Sequence, residues 1–320
     1  MKTLEKINNF LKIGFVTAAV VAMPCAVSGQ NLETKVTPAA ITQQVQFGGP
    51  GFQPVVGDYD GDGTDDVALY HEQSGNWYIA SLSKMQWISL GNCWGTYGLK
   101  PVAGDFDGDG RADLAVYNKS IGEWYIKSLD ERIIAWAHMF GDENSIPVSG
   151  DFDGDRKTDL VVYKESTGVW RALLSSLDYA LVSTPPGYGG PNLEAISGDF
   201  DGDRKSDLCI YDQNAKPFGK FYILKSLTGD LKIEQLGGNG SIPVPSDYDG
   251  DNKTDAAVLD DSSYRWTVKK SSDNWYAGFS FGEQGDIPVL GDFDGDGKTE
   301  VAVYSPSSGL LSVLGNVAIK

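Results

Sequence analysis

The 320 residues are 41% hydrophobic and 11% aromatic, enough to bury a substantial core, so the composition excludes a disordered chain. The formal net charge of −18 excludes a nucleic-acid partner, because a phosphate backbone demands a basic surface. Abundant Gly (39 residues) among many Val, Ile, Trp, Tyr and Phe favours short strands joined by tight turns.

At the start of the chain, Lys2, Lys6 and Lys12 precede an almost wholly apolar run, residues 13–27, which ends at Ser28-Gly29-Gln30. This is the pattern of a secretory signal peptide, residues 1–29, and the run, interrupted by Pro24, is shorter than the ~20 residues a bilayer span needs. The expectation is a secreted protein, extracellular or periplasmic, with a mature chain of residues 30–320 and no transmembrane segment. Without the leader the chain keeps 23 basic and 43 acidic residues, a net charge of −20. Cys93 and Cys209 are too few for a disulfide framework, so another device must stabilise the exported domain.

From residue 57 onward one segment occurs six times. It reads GDYDGDGTDD from Gly57 (turn 1), GDFDGDGRAD from Gly104 (turn 2) and GDFDGDRKTD from Gly150 (turn 3). It continues as GDFDGDRKSD from Gly198 (turn 4), SDYDGDNKTD from Ser246 (turn 5) and GDFDGDGKTE from Gly291 (turn 6). The first Asp recurs at steps of 47, 46, 48, 48 and 45 residues, a period that predicts propeller blades. Each unit resolves into strand A ending on a Pro-Val-x-Gly-Asp stretch, the Asp-rich turn, an alternating strand B such as Leu114–Tyr117, strand C from Trp124, and strand D. Strand D closes at an aromatic-Gly pair such as Phe140-Gly141, Tyr188-Gly189 or Phe281-Gly282, with Leu90-Gly91 and Leu236-Gly237 as weaker versions. The last unit lacks a strand D, and Ile41–Gly48 resembles one with nothing before it. The predicted fold is therefore an all-β, six-bladed propeller of four-stranded antiparallel blades, closed by the N-terminal strand completing the last blade.

Numbered from its first Asp, each turn places carboxylates at positions 1, 3, 5 and 9. These are Asp58, Asp60, Asp62 and Asp66; Asp105, Asp107, Asp109 and Asp113; Asp151, Asp153, Asp155 and Asp159; Asp199, Asp201, Asp203 and Asp207; Asp247, Asp249, Asp251 and Asp255; and Asp292, Asp294, Asp296 and Glu300. Two carboxylates about 5 Å apart repel by roughly 3 kcal/mol at an effective dielectric near 20, so four in one loop demand a cation. Hard oxygen ligands in a flexible loop favour Ca²⁺, up to six ions in all. Position 7 varies among Thr64, Arg111, Lys157, Lys205, Lys253 and Lys298, as expected where only a backbone carbonyl meets the metal and the side chain points outward. Position 6 is Gly except at Arg156, Arg204 and Asn252. If it requires positive φ, the Arg residues are penalised and turns 3 and 4 are expected to be the weaker sites.

These Gly-Asp-Phe-Asp-Gly-Asp turns, aromatic-Gly pairs and Pro-Val entry strands resemble the FG-GAP/VCBS repeats of integrin α-subunit propellers and their bacterial secreted relatives, over about residues 41–315. The resemblance implies calcium binding by the matched residues, an extracellular setting and ligand contact on the face opposite the turns. It departs in blade number, six against seven, and in lacking an attached catalytic or membrane domain.

The aromatics that begin strand C (Trp77, Trp124, Trp170, Phe221 and Trp266) recur at equivalent places and are expected in the core, with Cys209 as a buried small hydrophobe. Departures from the repeat are better functional candidates. Five junctions place Gly six residues before the next strand A, whereas Gly91 to Pro101 takes ten, an apparent insertion at Asn92–Tyr97 that offers Trp94 and Tyr97 as ligand residues. A longer B–C turn, Asp212–Phe218, is the second departure. The functional expectation is a recognition or adhesion module for an extracellular glycan or protein. The alternatives are a calcium-dependent polysaccharide lyase or glycoside hydrolase, for which Asp142, Glu143, Asp260 and Asp261 are available, and an exported structural scaffold without a small ligand.

Overall fold

The structure is a computed structural model and describes residues 41–314; the expected leader lies outside the described residues. Strand runs of five or six residues alternate side chains between the two faces of a sheet, and here both faces are covered by neighbouring blades, so strand B is buried nearly throughout. Six four-stranded antiparallel sheets result. In blade 2, strand A (Lys100–Val102) pairs with strand B (Leu114–Asn118), B with C (Glu123–Lys127), and C with D (Ile133–Met139). No described helix is long and apolar enough to cross a membrane.

The strand at Ile41–Gln46 joins the sixth sheet as its outer member, with Gln43 opposite Val313 and Val45 opposite Leu311. The ring is thus closed as expected. Strand A is the innermost strand of every blade, with one edge unpaired. Proline, which has no N–H to offer a ladder, is tolerated there, and Pro54, Pro101, Pro147, Pro243 and Pro288 occupy equivalent places. Some of them line an apolar cavity of about 310 Å³ together with Ile196 and Val244.

The strand C residues Trp77, Trp124, Trp170, Phe221, Trp266 and Leu311 are all buried, and Cys209 is a buried free thiol. Four of those indoles donate from Nε1 to a backbone carbonyl at the end of strand D of their own blade: Trp124 to Phe140 (2.9 Å), Trp170 to Tyr188 (3.3 Å), Trp266 to Phe281 (2.9 Å) and Trp77 to Trp94 (2.7 Å). The last bond corrects the register of blade 1. Its aromatic-Gly pair is Trp94-Gly95, not Leu90-Gly91, so Gly95 stands the usual six residues before Pro101 and the junction holds no insertion. Residues Leu90 and Gly91 fall inside strand D (Gln86–Cys93), whose pairing with strand C slips at two places. At this pair glycine is required. A Cβ on Gly95, Gly141 or Gly189 would collide with the hydroxyl of Tyr70, Tyr117 or Tyr163, which reaches over from strand B.

Candidate cation-binding turns and the rim between blades 1 and 2

A meander of four antiparallel strands puts the A–B and C–D turns on one face of the ring and the B–C and D–A connections on the other. The six Asp-rich segments are the A–B turns. Position 1 organises each loop: Asp58 Oδ1 accepts from the amides of Gly61 (2.6 Å) and Asp62 (3.2 Å), and Oδ2 from Gly63 (2.8 Å). Asp199 and Asp247 repeat the pattern. Position 5 accepts from the amide of position 7 in every turn. Position 9, buried in turns 1 to 5 and half-buried at Glu300, turns inward, accepting from the amide of position 2, as Asp113 does from Phe106 (2.8 Å).

These bonds fold the carboxylates toward one another. Acidic oxygens lie within 4.8 Å of one another in the sets Asp58-Asp60-Asp62, Asp105-Asp107-Asp113, Asp151-Asp153-Asp159, Asp199-Asp201-Asp203 and Asp292-Asp294-Asp296-Glu300, an arrangement that could hold a metal ion. Position 3 gives an independent indication: Oδ1 of Asp60, Asp201 and Asp249 is buried without a hydrogen-bond partner, a costly state for a carboxylate oxygen unless a cation meets it. Burial also pushes the position 9 carboxyls up, Asp113 and Glu300 to about 7 and Asp66, Asp159 and Asp255 to about 6.

The position 7 side chains do not point outward. Arg111, Lys157, Lys205, Lys253 and Lys298 each lie across the position 4 glycine of the preceding blade's turn, where any side chain would collide with them or crowd them. Those glycines also hold φ between +77° and +86°. Position 8 ties neighbouring turns together through its backbone, and at Asp65 and Thr158 also through its side chain, which accepts from the amide of Asp292 (2.9 Å) or Asp105 (3.0 Å). Its N–H donates to the carbonyl of the position 1 Asp one blade back: Ala112 to Asp58, Thr158 to Asp105, Ser206 to Asp151, Thr254 to Asp199, Thr299 to Asp247 and, across the seam, Asp65 to Asp292, all at 2.6–2.8 Å. Six turns are thereby tied head to tail in a closed ring.

At position 6, Arg156 and Arg204 sit at φ +70° and Asn252 at +62°, as the sequence suggested. The strain is already present in the turn, so it weakens the fold rather than selecting against a cation. Arg156→Gly and Arg204→Gly should each raise the unfolding free energy by about 1 kcal/mol, read as a higher urea midpoint at unchanged slope.

Trp94 and Tyr97 are separated by the fold. Trp94 is only 9% exposed, wedged between blades 1 and 2 with Lys127 Nζ 5.1 Å from its ring centroid and its own Nε1 on the Tyr125 carbonyl. A buried ring has no free face to stack on a ligand. Tyr97 is 74% exposed. The aromatic that sequence reading missed is Trp136 in strand D of blade 2: 46% exposed, and braced edge-on by Trp94 (5.6 Å) and Tyr125 (5.5 Å). The residues around its two braces are polar and bonded to one another. Tyr125 Oη donates to Glu123 (2.6 Å), and Lys127 Nζ donates to Asn92 (2.9 Å) and Glu131 (2.7 Å). The longer B–C turn is present, and its Phe218 is 55% exposed on the face opposite the Asp-rich turns. Two of the four carboxylates considered for catalysis are engaged locally: Asp142 by Lys164 (2.7 Å) and Arg171 (3.5 Å), and Asp260 by Ser262 and Ser263.

Comparison with known proteins agrees with this architecture. Residues 58–116 match the model of an FG-GAP-like repeat and residues 285–319 that of the FG-GAP repeat. No curated protein matches the sequence. Among solved structures, an Agrocybe aegerita lectin described as recognising non-reducing terminal N-acetylglucosamine superposes with a TM-score of 0.54 at 11% identity, covering 83% of this chain and 81% of the lectin. Virginiamycin B lyase from Staphylococcus aureus gives 0.52 at 11% identity, covering 90% and 96%. An auxiliary nutrient binding protein from Bacteroides ovatus gives 0.53 at 9% identity, covering 85% and 76%. At these identities the likeness is one of fold alone.

Proposed function

We propose that this chain, a member of the FG-GAP repeat family, is an exported calcium-binding recognition module whose Asp-rich turns hold Ca²⁺ and whose rim between blades 1 and 2 binds a glycan. The observation that carries the calcium reading is the buried, partnerless Oδ1 at position 3 in three separate turns, which at Asp60 and Asp201 lies beside converging carboxylates. All-oxygen ligand sets of this kind suit calcium, and loosely built ones fill at the millimolar concentrations found outside cells. A bound ion would hold the position 1, 3 and 5 carboxylates ionised and relieve their mutual repulsion. Its role is to fix the blade turns, since the turn carboxylates are already committed to loop amides.

Recognition is assigned to Trp136. A half-exposed indole locked by two other aromatics presents its face without losing side-chain entropy on binding, and Glu123 and Asn92 nearby can accept and donate to sugar hydroxyls. The glycan-recognising lectin of similar fold supports the class of ligand without fixing the sugar. Trp136→Ala should abolish binding on a glycan array while the protein stays folded, its melting temperature lowered by about 2–10 °C as two edge-on aromatic contacts are lost. Trp94→Ala, which removes a buried ring, should instead cost about 3–5 kcal/mol of stability. Retained binding by a folded Trp136→Ala protein would dismiss this site, and depolymerisation of an arrayed polysaccharide would revive the lyase or hydrolase alternative.

A further inference from the structure

The six turns are not equivalent in charge, and two kinds of neighbour make the difference. Within each of blades 1 to 5, the C–D turn reaches toward the Asp-rich turn. In blade 1 it brings Lys84 Nζ to 2.7 Å from Asp60 and 2.8 Å from Asp62. In blade 2 it brings Arg132 onto Asp107 and to 4.0 Å from Asp109. In blades 3, 4 and 5 the same reach is made by neutral donors, serine hydroxyls and backbone amides: among them Ser175 Oγ to Asp155 (2.8 Å), Ser226 Oγ to Asp203 (3.1 Å) and Ser271 Oγ to Asp251 (2.7 Å). From the following blade, the position 7 stem lays Arg111 or a Lys across the glycine of turns 1 to 5. Among the described residues, turn 6 receives no basic side chain from either side. The residue over its Gly295 is Thr64, and its blade takes strand D from Ile41–Gln46. It also gathers four carboxylates, Asp292, Asp294, Asp296 and Glu300, within 4.8 Å.

The geometry points to an ordered filling of the turns: turn 6 takes calcium first, turns 3 to 5 follow, and turns 1 and 2, already bridged by Lys84 and Arg132, fill last or stay neutralised by their own side chains. This rests on the reading of the turns as calcium sites. A divalent ion entering turn 1 or 2 must displace an ammonium or guanidinium group and approach its residual positive charge, whereas one entering turn 6 meets negative charge that no described basic side chain offsets. The order has a structural consequence. Turn 6 lies on the seam, where the Asp292 carbonyl accepts from the Asp65 amide (2.7 Å) and the Asp292 amide donates to the Asp65 carboxylate (2.9 Å). The first ion therefore braces the joint between the last blade and the first, before the remaining turns are filled.

The test is native mass spectrometry of the intact protein titrated with calcium chloride, counting bound ions. The expected result is a plateau at four ions, with the fifth and sixth requiring at least tenfold more free calcium. Lys84→Gln with Arg132→Gln should merge the last two ions with the others. Thr64→Lys, which installs the residue type found at four other turns, should raise the free calcium needed for the first ion about fivefold. Six ions entering wild type in one unresolved step, or a Thr64→Lys protein with an unchanged first step, overturns the ordering while leaving the calcium reading intact. No uptake at millimolar calcium defeats both.

Discussion

Excess chelator should lower the melting temperature of this protein by more than 20 °C. A site held at a hundred times its Kd contributes about 2.7 kcal/mol, and in a domain of this size 1 kcal/mol corresponds to about 2–4 °C, so one turn is worth about 5–10 °C and several turns add. The loss should depend on pH in a defined direction. Position 9 carboxyls titrate near 4 in the unfolded chain but near 6 to 7 when buried in the fold. Between those values the native state holds protons that the unfolded chain has released, so the contribution of these groups to the stability of the cation-free protein is fully present below about pH 4 and is lost as pH rises through 7. Calcium competes with those protons, so its stabilising shift should grow over the same interval. Calorimetric melts at pH 4.5, 6 and 7.5, with chelator and with calcium, measure both effects. A melting temperature indifferent to chelator at pH 7.5 would remove calcium from this account.

The second large effect is expected at the seam. Phe47 is 2% exposed and packs in a cluster drawn from blades 6 and 1, including Val67, Leu69, Tyr304 and Leu311, with Trp87 edge-on at 5.5 Å. Its amide donates to the Gly309 carbonyl (2.9 Å). Phe47→Ala should cost about 3–5 kcal/mol, as deletion of a buried aromatic does. Phe140 is the equivalent residue of blade 2, and Phe140→Ala removes similar packing. The two should differ in hydrogen exchange, because blade 2 remains covalently continuous. In Phe47→Ala, the amides of Val45, Phe47 and Asp65 should exchange together in an opening well below global unfolding. Equal protection of those amides in the two variants would mean that the strand at Ile41–Gln46 is not the weak joint.

Blade number, strand order and closure were legible because each follows from a repeated residue pattern, and a propeller imposes the same packing on every copy. The turns were legible for the same reason. What failed was the register of blade 1, where Leu90-Gly91 imitates an aromatic-Gly pair. Counting from the strand C aromatic would have exposed the imitation: the indole-to-carbonyl spacing is 16, 18 and 15 residues in blades 2, 3 and 5, and 17 leads to Trp94. The slips in strand D that absorb the difference have no sequence signature. Nor does the ring of bonds from position 8, where Asp65, Ala112, Thr158 and Ser206 serve alike because the bond they share is made by the amide. Lys84, Arg132 and Trp136 belong to C–D turns and outer strands, which the fold leaves free to vary, so their relation to the turns and to Trp94 emerges only in three dimensions.

The closing strand has a mechanical consequence. Ile41 and Leu314 face each other across one antiparallel ladder, so tension applied through the chain on either side of the propeller loads that ladder from one end. Its bonds are strained one after another, as in a zipper, and not all at once in shear. The ring should open there at low force and reseal when the load is released, while the other five blades, each continuous in sequence, stay folded.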